Sequence, residues 1–142
     1  MANPASTDCD IHIRILIDDN EIQDGSVAGV YIVDNQVSEG SGAQGSASLN
    51  TVADTNDKIC WRVEPLNPAS KSTFQIQSIS SIQAWGFTGT PAIAPDSDAG
   101  PVVFTGIAEQ ACSALGYTVD IFAQLENGDV MTLSPKPSIV VR

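Results

Sequence analysis

Asp57-Lys58-Ile59-Cys60-Trp61-Arg62-Val63 is the stretch on which the fold turns. It is rich in β-branched and aromatic residues after a polar start, the make-up of a core strand, and it carries no catalytic chemistry. The other apolar runs share its character. Ile11-His12-Ile13-Arg14-Ile15-Leu16-Ile17 sets isoleucine on every second residue, so one face is buried, and it stops at the turn-forming Asp18-Asp19-Asn20. Val27 to Val33 is more continuously apolar and reads as a central strand. Further strands are expected at 48–53, 58–64, 73–79, 82–87 and 102–105, divided by Pro, Gly, Asn and Asp at the spacing of sandwiches and barrels.

Near the C-terminus, Tyr117 to Glu126 alternates Val119, Ile121, Ala123 and Leu125 with other side chains and then meets Asn127-Gly128. That dipeptide suits the left-handed backbone of a two-residue type I′ turn, which predicts a hairpin with Asp129 to Leu133. Ser138-Ile139-Val140-Val141 closes the chain as a last strand after Pro135-Lys136-Pro137. One stretch breaks the pattern: Gly106 to Leu115 places apolar residues at 107, 108, 111, 112 and 115, the spacing of a short helix. The expected fold is all-β, a single antiparallel β-sandwich domain over 1–142, jelly-roll or Ig-like, with roughly eight to ten strands and one short helix over 106–115. Residues 1–9 are expected to be a flexible lead, and the Gly/Ser-rich 38–46 a mobile loop.

The 142 residues suit one domain, and 42% hydrophobic against 16% charged residues is a globular balance. Asp and Glu number 17 against 6 Lys and Arg, a net charge of −11. Arg14, Lys58, Arg62, Lys71, Lys136 and Arg142 are scattered singly, so the basic stripe a nucleic-acid binder needs is missing and an anionic membrane would repel the chain. The excess acid reads first as a solubility device. The first residues lack the charged-then-apolar pattern of a secretory signal, and no apolar run is long enough to span a bilayer, which points to a soluble, cytoplasmic protein. Cys9, Cys60 and Cys112 lack zinc-site spacing and are expected as free thiols. A Cys9–Cys60 or Cys60–Cys112 disulfide would need oxidising conditions and compatible geometry.

Candidate chemistry is sparse. His12, the single histidine, falls opposite the isoleucines of its strand, on an exposed or partner-facing side; a hydrolase would have to use it or Cys60. Cys60 lies mid-strand, where a small buried hydrophobe is the ordinary role, and neither it nor Cys112 shows an activating base. Asp96-Ser97-Asp98, Asp54-Thr55-Asn56-Asp57 and Asp18-Asp19-Asn20 place oxygen ligands in loops, as calcium sites do, although the same residues build turns. No cofactor is expected; calcium is the ion such loops would take. Trp61 reads as core. Trp85 precedes the glycine-punctuated Gly86-Phe87-Thr88-Gly89-Thr90-Pro91 and, with Asp96 and Asp98, would form a calcium-assisted lectin site if the three met, although core or interface packing is the commoner role for such a tryptophan.

Taken together, Ile15-Leu16-Ile17-Asp18, Gly29-Val30-Tyr31-Ile32-Val33-Asp34, the Asp57–Val63 strand followed by Leu66, and Ser134-Pro135-Lys136-Pro137-Ser138-Ile139-Val140-Val141 occur in the order seen in the bacterial inclusion-body proteins. In these pieces the chain resembles the AidA/PixA family over most of its length. It departs in being shorter, in Ser134-Pro135 where the family has Asp-Pro, and in Val130-Met131-Thr132-Leu133 where the family has an aromatic-rich lead. The resemblance implies an all-β sandwich, cytoplasmic accumulation and no catalytic residues. Long apolar runs such as Ile11–Ile17 and Val27–Val33 would promote edge pairing between copies if uncovered. The expected function is a non-enzymatic, self-associating accessory protein whose partner is itself; a carbohydrate or other small ligand is the alternative, and no nucleic acid or membrane insertion is expected.

Overall fold

The computed structural model describes residues 3–96 and 102–142. Among them the chain forms eleven strands: β1 Ile11–Ile17, β2 Val30–Asp34, β3 Asn50–Ala53, β4 Asp57–Pro65, β5 Thr73–Ile79, β6 Ala92–Ile93, β7 Phe104–Ala108, β8 Cys112–Gly116, β9 Val119–Gln124, β10 Val130–Leu133 and β11 Ser138–Val141. They make a five-stranded sheet in the order β2-β1-β4-β7-β6 and two three-stranded sheets, β10-β9-β5 and β3-β11-β8. All three sheets feed one apolar core, so the fold is all-β and sandwich-like.

The alternation in β1 does what its spacing requires. Ile11, Ile13, Ile15 and Ile17 are all buried, and Ile11, Ile13 and Ile15 stand beside Ile59, Trp61 and Val63 of β4, which face the same core. Each fully buried side chain of this size contributes roughly 1.5–3 kcal/mol relative to exposure. This central pair is parallel, as is β3 with β11, within a sandwich whose other strand pairs are the expected antiparallel ones. After β2 the chain crosses to β3 in another sheet and returns along the far side of β1 in the same direction.

Three local expectations also change. Residues 106–115 form no helix: they are the end of β7, a turn, and β8. β7 is an inner strand whose five residues are all buried, which puts adjacent Ile107 and Ala108 both inside and imitates a helical spacing. Residues 82–87 are a 3₁₀ turn, Gln83–Trp85, rather than a strand. The β9–β10 hairpin is present, with Val130 opposite Gln124, but Gly128 N–H bonds Leu125 C=O at 3.0 Å and Leu125 N–H bonds Asp129 C=O at 2.8 Å. Only Gly128 takes a positive φ, +92°, so this is a three-residue turn with a glycine bulge and not a two-residue type I′ turn.

The segments read as flexible are tied down. In the 38–46 loop, Gly42 and Asn50 exchange backbone hydrogen bonds at 3.0 Å, and the buried Ser41 hydroxyl accepts from Val52 N–H at 2.9 Å. At the other end, Asn3 Nδ2 donates to Thr90 and Thr105 carbonyls, and the buried Thr105 hydroxyl donates to Pro4 C=O at 2.7 Å. Cys9 and Cys60 form a disulfide with Cα atoms 5.8 Å apart, which corrects the expectation of free thiols at these two positions. Residues 3–9 thereby strap the outer face of β4 and β7, where Cys60, Ala94 and Val103 make a small second apolar cluster against Cys9. Cys112 is the free thiol.

Candidate functional site

Trp85 is fully buried, which removes it as an open face for a sugar. The 3₁₀ turn points it inward, where it meets Trp61 edge-on at a centroid distance of 5.5 Å and Tyr117 at 5.5 Å; Trp61 and Tyr117 lie 6.1 Å apart. The polar ends of the trio are satisfied, as buried aromatics require: Trp61 Nε1–H donates to the Tyr117 hydroxyl at 3.1 Å and Trp85 Nε1–H to Ser80 C=O at 3.0 Å. Burial pushes the Tyr117 hydroxyl pKa well above its ordinary value.

The acidic loops are engaged within the chain. Asp96 accepts the Ser6 hydroxyl at 2.6 Å and the Ser6 N–H at 2.9 Å, bonds that hold its carboxyl below the usual range; Asp98 lies outside the described residues. Asp57 accepts Asp54 N–H within a turn, and Asp54 pairs with Arg142 at 2.9 Å. No three metal-ligating side chains converge among the described residues. His12 Nδ1 faces Arg62 Nη1 at 3.2 Å, an arginine donor and not a nucleophile, while the disulfide takes Cys60 out of thiolate chemistry.

Asp19 serves the fold rather than a ligand. Its carboxylate accepts the hydroxyls of Ser70 at 2.6 Å and Ser72 at 2.8 Å, tying the 18–20 turn to the lead into β5. These bonds, Ser70's first, lower its pKa. A carboxyl more acidic in the folded than in the unfolded chain stabilises the fold above the ordinary carboxylate range, and that contribution fades as pH falls through the folded pKa. Asp19→Asn is therefore expected to lower the urea midpoint at neutral pH, with the gap to wild type closing under acid. A gap constant with pH would contradict this role.

What remains is an apolar seam. β5 and β6 each end their sheet, and between them runs a groove of about 480 Å³ floored by Ile79, Pro91, Ala92, Ile93 and Phe104, with Gln77 and Ser78 on its rim. Ile93 in its lining is 55% exposed, and Phe87, outside the lining, is fully exposed. The Phe87 loop is braced. Thr88 donates from its N–H at 3.0 Å and from its hydroxyl at 2.8 Å to Glu109 Oε1, and Gly89 N–H bonds Trp85 C=O at 3.0 Å. A side chain at Gly89 would strike the backbone oxygens of Trp85 and Ile107, so glycine is required where this loop closes on β7. Phe87 is thus held out in water by a fixed frame.

The segment that supplies most of the seam is acid-free: from Pro65 to Pro95 there is no Asp or Glu, and Lys71 is the one ionised side chain. The carboxylate at the rim comes from β9, where Asp120 accepts the Ser78 hydroxyl at 3.0 Å. This acid-free run in a strongly acidic protein was the available sequence signal for the site, and it marks a region rather than particular residues. Phe87 and Ile93 were not singled out because exposure is not a local property of sequence.

The crystal structure of an inclusion body protein, PixA, from Burkholderia cenocepacia J2315 is similar to this chain with a TM-score of 0.63 at 14% identity, over 93% of this chain and 94% of that one. At that identity the likeness is one of fold. No curated protein matches the sequence. Residues 9–128 match the model of a family described as a domain of unknown function, DUF8788, and the chain belongs to that family.

Proposed function

We propose that this chain is a non-enzymatic, self-associating protein of the inclusion-body kind. The observation that carries the reading is an apolar groove between two strands that each end their sheet, on a chain that also holds a fully exposed phenylalanine, Phe87. Exposed edges and apolar grooves of this sort recruit another chain, and a contact made through uncharged side chains limits the repulsion between two copies of net charge −11. The fold shared with PixA over nearly the whole chain supports the same reading. The Cys9–Cys60 bond moves the expected setting from a reducing cytoplasm to one in which disulfides persist.

Light scattering across a concentration series tests the proposal. The mass is expected to exceed the single-chain 14.9 kDa and to rise with salt, because screening weakens the repulsion between acidic copies. A mass of one chain at every concentration, in low and high salt, would rule it out.

A further inference from the structure

We propose that Phe87 of one copy seats in the β5–β6 groove of a second copy. This rests on the self-association reading and names its contact. The knob is a phenylalanine with its whole side chain in water, on a loop that Glu109 and Gly89 hold rigid. A rigid frame means that little conformational freedom is lost when the ring docks. The hole is a shallow, open groove of about 480 Å³, broad enough for one phenyl ring, with aliphatic and aromatic residues and no charged residue in its lining.

Charge selects the occupant. Both the knob and most of the groove belong to the acid-free run from Pro65 to Pro95. Two copies meeting through faces that carry the carboxylates would repel, whereas here neither the ring nor the lining residues are charged. Glu109, behind the loop, has its carboxylate engaged by Thr88. Because knob and hole are different surfaces, each copy offers one of each.

That asymmetry makes the contact testable by complementation. Phe87→Ala removes the knob and keeps the hole; Ile93→Glu puts a charge at the hole and keeps the knob. Both side chains are exposed, so both variants are expected to unfold at close to the wild-type temperature. In sedimentation velocity, each variant alone is expected to weaken self-association by about tenfold or more, since anchors of this kind dominate interfaces. An equimolar mixture is expected to regain 1:1 pairing, using the Phe87 of one variant and the intact groove of the other. Wild type that associates while both variants do so equally well would overturn the Phe87 contact and leave self-association standing. Variants that lose association without recovering it in the mixture would also overturn the pairing. A wild-type chain that stays monomeric would sink both readings.

Discussion

Trp85→Ala is expected to cost about 4 kcal/mol of folding stability, the range for removing a fully buried large aromatic. The indole packs edge-on against both Trp61 and Tyr117, and its removal also leaves the Ser80 carbonyl without its donor. Against a typical total of roughly 5–15 kcal/mol this is a large fraction, and the melting temperature should fall on the order of 10 °C. Urea denaturation followed by circular dichroism measures the loss. The experiment also separates two roles for this residue: a tryptophan displayed for a ligand could be truncated with little effect on stability. An unchanged midpoint would therefore contradict the buried trio. Phe87→Ala, which removes a side chain already in water, is the natural control with a near-neutral effect.

Opening the Cys9–Cys60 bond is the second large effect. The bond spans a sequence separation of 51, and loop-closure entropy for a ring of that size corresponds to about 4 kcal/mol in the chain-entropy account, with smaller values common in practice. Reduction also releases the strap of residues 3–9 from the outer face of β4 and β7, where Thr105 bonds Pro4 and Arg62 reaches the Ser6 carbonyl at 3.3 Å. Adding dithiothreitol should lower the urea midpoint, and Cys9→Ser should reproduce the shift without reductant. Thiol alkylation of the unreduced, unfolded chain should modify Cys112 alone. Modification of all three cysteines there, or a midpoint indifferent to reductant, would contradict the bond.

Much of the fold was legible because it is written in local alternation. Ile11–Ile17 and Ser138–Val141 have the boundaries their patterns predict, and Trp61 is buried as its apolar neighbours suggest. The misreadings share a cause. Ile107 and Ala108 are both buried because β7 is covered on both faces, and a two-sided strand is not distinguishable from a helix face by spacing alone. Val27 to Gly29 look like strand, yet the chain bends at Gly29, φ +79°, where a side chain would meet Asp18 and Ile22 at 3.0 Å, so β2 begins only at Val30. Trp85 sits beside Gly86 and looks like a loop residue; that glycine serves the turn that aims the indole inward.

For the candidate site the balance tips the other way. The sequence by itself determined the all-β class, the buried faces of β1 and β4, and the strong negative charge with its acid-free interval, since composition and period two depend only on residues near one another in the chain. The tertiary structure decided the parallel pairing of β1 with β4, the choice of Cys60 as partner for Cys9, the burial of Trp85, and the opposition of β5 and β6 that makes the groove. Each of these depends on which distant segments become neighbours. That is set by the packing of the whole core, and it leaves no periodic trace in any one stretch of the chain.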